Sequence, residues 1–257
     1  MRGRRTLVTQ QVRVALVGIA TIVLLAGCGG PPAASDATPA PSAASTTVPT
    51  TTTTTVPTTT TTSTTTTTLP PATTVGSSGP EVATLQQRLV ELGYWTGETG
   101  GTFGEGTRHA VVAFQKVHGL DRDGAVGPAT EAALASASRP APTSASGHAV
   151  EVDLVHQVLR VADGGTTTWV FDASTGAVAG TTPGGQWSVF LGIEGYEHGD
   201  LGVLYRPRYF APRVAVHGYP DVPAWPASHG CVRVPNATMD FIWASNLMPL
   251  GSTVTVT

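Results

Sequence analysis

The stretch Ala227-Ser228-His229-Gly230-Cys231-Val232-Arg233-Val234-Pro235-Asn236 concentrates more reactive chemistry than any other part of the chain. A thiol stands two residues after His229 and two before Arg233, with a second histidine upstream at His217-Gly218. Acyl transfer by a cysteine needs a thiolate, a base that takes and returns a proton, and donors for an oxyanion. His217 and His229 are both possible bases. In extended backbone, Arg233 shares a face with Cys231, where a cation lowers a thiol pKa or clamps a substrate carboxylate. Gly218 and Gly230 allow close backbone approach and unusual φ, so the N–H groups of Gly230 and Cys231 are candidate oxyanion donors. Plainer readings stand beside this one: a buried cysteine as apolar filler and a strand-end histidine as a satisfied core group. His217, His229 and Cys231 are also zinc-ligand types, but the short His229-x-Cys231 spacing leaves little loop and a fourth ligand must come from afar.

The chain has one other cysteine, Cys28. It ends a segment with arginines at positions 2, 4 and 5, an apolar run from Val14 to Ala26, and the small-residue ending Leu25-Ala26-Gly27-Cys28. This reads as a secretory signal. Its ending resembles a bacterial lipobox, which implies acylation of Cys28 and a lipid anchor on the outer face of a membrane. An ordinary signal peptide or an uncleaved anchor is the plainer alternative. With Cys28 acylated, Cys231 has no intrachain partner, which makes it a free reactive thiol. Residues 1–27 carry four arginines and no acidic residue, so the side-chain charge beyond them is −7, against −3 for the whole chain. No basic stripe remains, which argues against nucleic-acid binding.

Stepping along the chain, residues 29–78 are almost all Pro, Ala, Ser and Thr and cannot bury a core. Such a spacer, extended at ~3.1 Å per residue, reaches on the order of 100 Å. A helical segment is expected over 79–137. Val82, Leu85, Leu89 and Leu92 line one helical face after Pro80 and before Gly93. A second helix is expected from an N-cap at Thr107, with Ala110, Val111, Phe114 and Val117 inward, and a third over Pro128–Leu134. Residues 138–147 read as a second linker. From 148 onward the pattern turns to β. Strands are expected near Val150–Leu154, Val158–Val161, Thr167–Asp172, Gln186–Ile193, Leu201–Phe210, Val214–His217 and Thr253–Val256. One late helix, capped by Asn236, puts Met239, Ile242, Trp243 and Leu247 on one face.

Two resemblances follow from these residues. Leu85-Gln86, Gly104-x-x-Thr107, Ala110-Val111-x-x-Phe114-Gln115, Gly119-Leu120, Asp123-Gly124-x-x-Gly127 and Ala133-Leu134 together resemble the peptidoglycan-binding-like three-helix family. Gly100-Gly101-Thr102 departs from the Asp-Gly pair usual in that family's loop. His217-Gly218 with Ser228-His229-Gly230-Cys231-Val232-Arg233 resembles the L,D-transpeptidase catalytic-domain family, from about residue 148 to the end. Val152-Asp153, Gln157-Val158-Leu159, Ser174-Thr175-Gly176, Thr182-Pro183 and Pro235-Asn236 agree with it. The stretch from His217 to Ser228 is shorter than in many members.

The second resemblance implies a mainly β, sandwich-like domain with one helix near the site. It implies Cys231 as nucleophile, His217 as proton donor and acceptor, the Gly218 carbonyl orienting that imidazole, and Gly230 in the oxyanion hole. Ser228, His229 and Arg233 would shape the turn and bind substrate. The substrate implied is the tetrapeptide stem of peptidoglycan, attacked at meso-diaminopimelate with loss of D-Ala. Attack by an amine of a second stem gives a 3→3 cross-link. No metal or organic cofactor is implied. Hydrolysis by water, an L,D-carboxypeptidase activity, attachment of a protein to the wall, and a catalytically weak wall-binding lipoprotein are the alternatives.

Overall fold

The structure is a computed structural model that describes residues 72–257. The signal segment 1–28 with Cys28, and the Thr/Pro spacer up to residue 71, lie outside the described residues.

Three helices come first, α1 (Pro80–Glu91), α2 (Glu105–Val117) and α3 (Pro128–Ser136). Prolines open α1 and α3 at a position where a missing N–H costs nothing. Val82, Leu89, Leu92, Phe103, Val111, Phe114 and Leu134 form their buried core. The expected cap at Thr107 is not found, because α2 already begins at Glu105 with Gly104 in the cap position. The Thr107 hydroxyl instead accepts from Gln86 Nε2 at 2.8 Å, and Gln86 also holds the Gly101–Thr102 loop. Residues 73–78 are not free spacer. Thr73 and Ser78 form bridges to Val126 and Thr102.

The remainder comprises β1 (His148–Asp153), β2 (Val158–Asp163), β3 (Thr166–Asp172), β4 (Gly185–Ser188), β5 (Leu191–Gly192), β6 (Tyr196–Gly199), β7 (Gly202–Ala211), β8 (Val214–Tyr219), β9 (Val232–Pro235), α4 (Asn236–Ala244) and β10 (Thr253–Val256). Two sheets result, one in the order β3-β2-β1-β10-β4, the other β5-β7-β8-β9 with β6 beside β7. Val150, Val152, Leu159 and Val161 of the first sheet share one apolar core with Val214, Val216, Val232 and Val234 of the second. Met239 and Ile242 of α4 complete that core. Alternation along each strand sends these residues inward, as a sandwich requires. Asn236 is the first residue of α4 rather than its cap, and Pro235, fixed in φ, occupies the cap position. The expected Gln186–Ile193 strand is broken into β4 and β5, which belong to different sheets.

The helices dock on the outer edge of the first sheet. Tyr94 bridges Val170 of β3, and the Val170 N–H donates to Gly93 O at 2.8 Å. Val158 and Val170 enter the helical core. An otherwise open edge strand is thereby covered. The expected linker at 138–147 is strapped down. Arg139 donates to Glu91 O at 2.7 Å and Thr167 O at 3.0 Å, and the Thr143 and Ser144 N–H groups both reach Glu151 Oε1. No helix among the described residues is long and apolar enough to cross a membrane.

Candidate active site

Strands β8 and β9 run parallel, with Val216 opposite Val232, His217 opposite Arg233 and Gly218 opposite Val234. Side chains alternate across a sheet, so Cys231, one residue before β9, faces the same side as Arg233 and His217. The chain thus brings together a thiol and an imidazole that are far apart in sequence. Both line a cavity of about 310 Å³ with Ser228, His229, Gly230, Arg233, Tyr219, Arg213 and the Leu201–Leu204 segment.

His217 is buried, and its Nδ1 lies 2.9 Å from the Gly218 carbonyl oxygen. A carbonyl only accepts, so Nδ1 carries the proton and Nε2 is left as the basic nitrogen. Burial pushes the imidazole pKa down to about 4, and the Arg233 charge adds to that, against the pull of the Gly218 carbonyl. The ring is therefore neutral at pH 7. Gly218 has no room for a side chain: a Cβ would lie 2.7 Å from Asn236 Oδ1 and from Tyr205 Cδ1.

The Cys231 thiol is pushed up by burial, while the Ala215 N–H and Arg233 favour the thiolate and Glu197 opposes it. Its sulfur faces the Arg213 carbonyl at 3.8 Å. Arg213 itself sits at φ +62°, in the left-handed region that non-glycine residues seldom occupy. Burial thus favours the neutral form of both the thiol and the imidazole that line this cavity.

The turn before the thiol is internally braced. Ser228 Oγ donates to Cys231 O at 2.5 Å and accepts from the Gly230 N–H at 3.0 Å. Thr182 Oγ1 donates to Gly230 O at 2.7 Å and accepts from the Gly176 N–H at 2.9 Å. Gly230 has φ +144°, and a Cβ there would sit 2.7 Å from Thr181 O. Two expectations change shape here. The Gly230 N–H is engaged by Ser228, so among the backbone donors expected for an oxyanion the Cys231 N–H is the one that no turn hydrogen bond occupies. Ser228 is buried and spends its hydroxyl inside the turn, which braces the turn while the residue also lines the cavity. His229 is exposed at the cavity rim. The Arg233 guanidinium lies over the Tyr219 ring at 4.1 Å and reaches Ala227 O at 3.3 Å.

The segment Ser174–Ala177 runs alongside. Ser174 and Arg233 exchange two backbone hydrogen bonds, and the N–H groups of Ala227 and Ser228 both donate to Thr175 O. Arg213 lines the cavity although spacing did not single it out, and strand pairing brings Tyr209 and Glu197 to the same side of the sheet.

The family model for the L,D-transpeptidase catalytic domain matches residues 147–256, and that for a peptidoglycan binding domain matches residues 78–134. A crystal structure of an L,D-transpeptidase from Xylanimonas cellulosilytica is 44% identical, with a TM-score of 0.70. The match covers 73% of this chain and 98% of that one. The chain belongs to the L,D-transpeptidase family. Shorter similarities reach other wall enzymes. One is the N-acetylmuramoyl-L-alanine amidase CwlM of Mycobacterium tuberculosis, 48% identical over 52 residues, 20% of this chain and 13% of that protein. Another is a spore cortex-lytic enzyme of Bacillus cereus, 42% identical over 64 residues, 25% of each protein. The chain thus spans a quarter or less of these curated relatives. As a member of the L,D-transpeptidase family, it joins a catalytic domain to a peptidoglycan binding domain.

Proposed function

We propose that this protein is an L,D-transpeptidase that forms 3→3 cross-links between peptidoglycan stems through a thioester on Cys231. One observation carries the reading: Cys231 and His217 face one cavity from adjacent parallel strands, with His217 Nδ1 fixed on the Gly218 carbonyl.

In the first step His217 Nε2 takes the thiol proton as Sγ adds to the carbonyl of the third stem residue. The oxyanion that forms is met by the Cys231 N–H, close to a site from which bulk water is partly excluded. The imidazolium then gives its proton to the departing D-Ala amine. Because His217 is a weak base held neutral, it returns that proton readily. In the second step an amine replaces the sulfur. Arg233 holds a carboxylate of the stem, and His229 meets substrate at the rim. The helical module, taken as residues 79–137, binds the same polymer. Cys28 is the acylated anchor residue, with the Thr/Pro spacer over about 29–72 giving reach from the membrane into the wall.

The test is to incubate the protein with a disaccharide-tetrapeptide and weigh both the products and the intact protein. Cross-linked dimers and a thioester adduct, both absent in Cys231→Ser, are expected. Tripeptide alone would mark a carboxypeptidase. Unchanged substrate with no adduct would favour a wall-binding protein. Growth with an alkyne-tagged fatty acid should label the native chain and not Cys28→Ala.

A further inference from the structure

Two arginines, Arg213 and Arg233, line the cavity around Cys231. The carboxylate nearest in the strand pairing is Glu197 on β6, which pairs with Leu204 of β7, a cavity-lining residue. Strand neighbours share a face, so Glu197 is directed to Leu204's side of the sheet. Tyr209, further along β7, pairs with Ala215, which lies on the same face of β8 as His217. The Tyr209 hydroxyl donates to Glu197 Oε2 at 2.8 Å, so a phenol from the nucleophile's face braces the carboxylate.

Glu194, three residues earlier, is paired with Arg206 at 3.2 Å. Glu197 has no cation within salt-bridge distance among the described residues, and its Oε1 meets no donor there. A carboxylate here opposes thiolate formation at Cys231, in the same direction as burial. It also helps raise Tyr209, again behind burial, which keeps the phenol a donor. Glu197 therefore hinders the first chemical step and helps only a partner that arrives positively charged.

We propose that Glu197, braced by Tyr209, is the docking group for the ammonium of the acceptor, an alkylammonium borne by a second stem, and that it directs the thioester toward amide formation rather than hydrolysis. This rests on the thioester reading above. The ammonium docks on Oε1 and loses one proton to solvent by way of the carboxylate. The neutral amine adds to the thioester carbonyl carbon. His217 Nε2 removes a second proton from that nitrogen and delivers it to Sγ as the C–S bond breaks. Thioester and ammonium thus become amide, thiol and one released proton.

The full chain is compared with Glu197→Gln, Glu197→Asp and Tyr209→Phe, using the disaccharide-tetrapeptide as donor. Acceptors are the stem amine and hydroxylamine, which is uncharged at neutral pH. Release of D-Ala reads the first step, and the ratio of cross-link to tripeptide reads the second. In Glu197→Gln we expect D-Ala release to rise about twofold and the cross-link ratio to fall about tenfold, as an ion pair is lost while thiolate formation eases. Hydroxylamine should still resolve the thioester, Glu197→Asp should recover part of the ratio, and Tyr209→Phe should lower it partway. Raising salt to about 0.5 M should lower the native ratio for the stem amine and spare hydroxylamine. An unchanged ratio in Glu197→Gln, or an equal loss with hydroxylamine, overturns the proposal. A native protein that releases no D-Ala and forms no adduct overturns the thioester reading and this one with it.

Discussion

The Lys116 ammonium lies 2.5 Å from Asp172 Oδ1, and neither side chain touches solvent to a measurable degree. Lys116 belongs to α2 and Asp172 ends β3, so the pair fastens the helical module to the first sheet. The same Nζ donates to the carbonyls of Gln157 at 3.0 Å and Ala173 at 2.8 Å, which uses its three protons. Asp172 Oδ2 meets His109 Nδ1 at 2.6 Å. Ala173 precedes Ser174, whose backbone is bonded to Arg233. A helix of the first module is thereby one short relay from the strand that follows Cys231.

Lys116→Met should be severely destabilising. It leaves the buried Asp172 carboxylate with His109 alone, and removing one partner of a buried pair costs about 3–5 kcal/mol. Adding Asp172→Asn should restore part of the loss, because the residual charge goes with it. Urea unfolding of the two variants and the native protein measures both effects. Hydrogen exchange at the Val170 amide, which bonds to Gly93 at the seam, should quicken in Lys116→Met.

Acid should weaken the fold through His217. Its pKa is about 4 in the folded protein against an ordinary 6.5, so the unfolded chain binds the extra proton first. Stability therefore falls as pH drops from 6.5 toward 4, by up to about 3 kcal/mol. Unfolding of the native protein and His217→Gln at pH 7 and near the lower limit should show the smaller pH effect in the variant. His118 is also shifted down by burial, and His217→Gln leaves that share in place. The same neutral imidazole predicts acylation that persists well below pH 6.

The turn at Gly230 should tolerate no side chain. Gly230→Ala places a methyl against Thr181 O in a backbone region suited to glycine, at a cost of about 1–3 kcal/mol. D-Ala release should fall at least tenfold, or about 1.4 kcal/mol in barrier.

Thr182→Val probes the same turn from the other side. It keeps the shape and removes the hydroxyl that joins the Gly176 N–H to Gly230 O. Leaving those buried groups unpaired costs about 1–3 kcal/mol. The rate of adduct formation should drop more than the affinity for the donor stem, since Thr182 holds the turn and does not line the cavity.

Much of this architecture is legible in residue spacing. The three-four spacing of Val82, Leu85, Leu89 and Leu92 gives α1, and alternation through Val150–Leu154 and Val158–Val161 gives the β1–β2 hairpin. Cys231, His217 and Arg233 stand out because their types and separations match one chemistry. What spacing hides is the work of residues that serve another element. Thr107 has the look of a cap yet bonds to Gln86. Lys116 and His109 read as surface residues of an amphipathic helix, because their partner Asp172 lies on a strand far along the chain. Arg139 sits in a stretch whose Pro and Ser content suggests a free linker, yet its guanidinium ties four carbonyls together, those of Val90, Glu91, Thr167 and Thr168. Glu197 and Tyr209 carry no motif at all. Only the pairing of β6, β7 and β8 brings them to the side of the sheet that His217 faces.

Strand β10 has one more consequence. It lies between β1 and β4, and β4 has no other neighbour in its sheet. The Val189 N–H, just beyond β4, also waits for Ser252 O, and the Gly251 N–H for Val189 O. Residues 251–256 thus hold β4 and Val189 where the chain leaves the first sheet, just before β5 pairs with β7 in the second. A chain cut before Thr253 loses the pairing of β4 and one side of β1 together, so a defect in this one strand is felt on both halves of the first sheet.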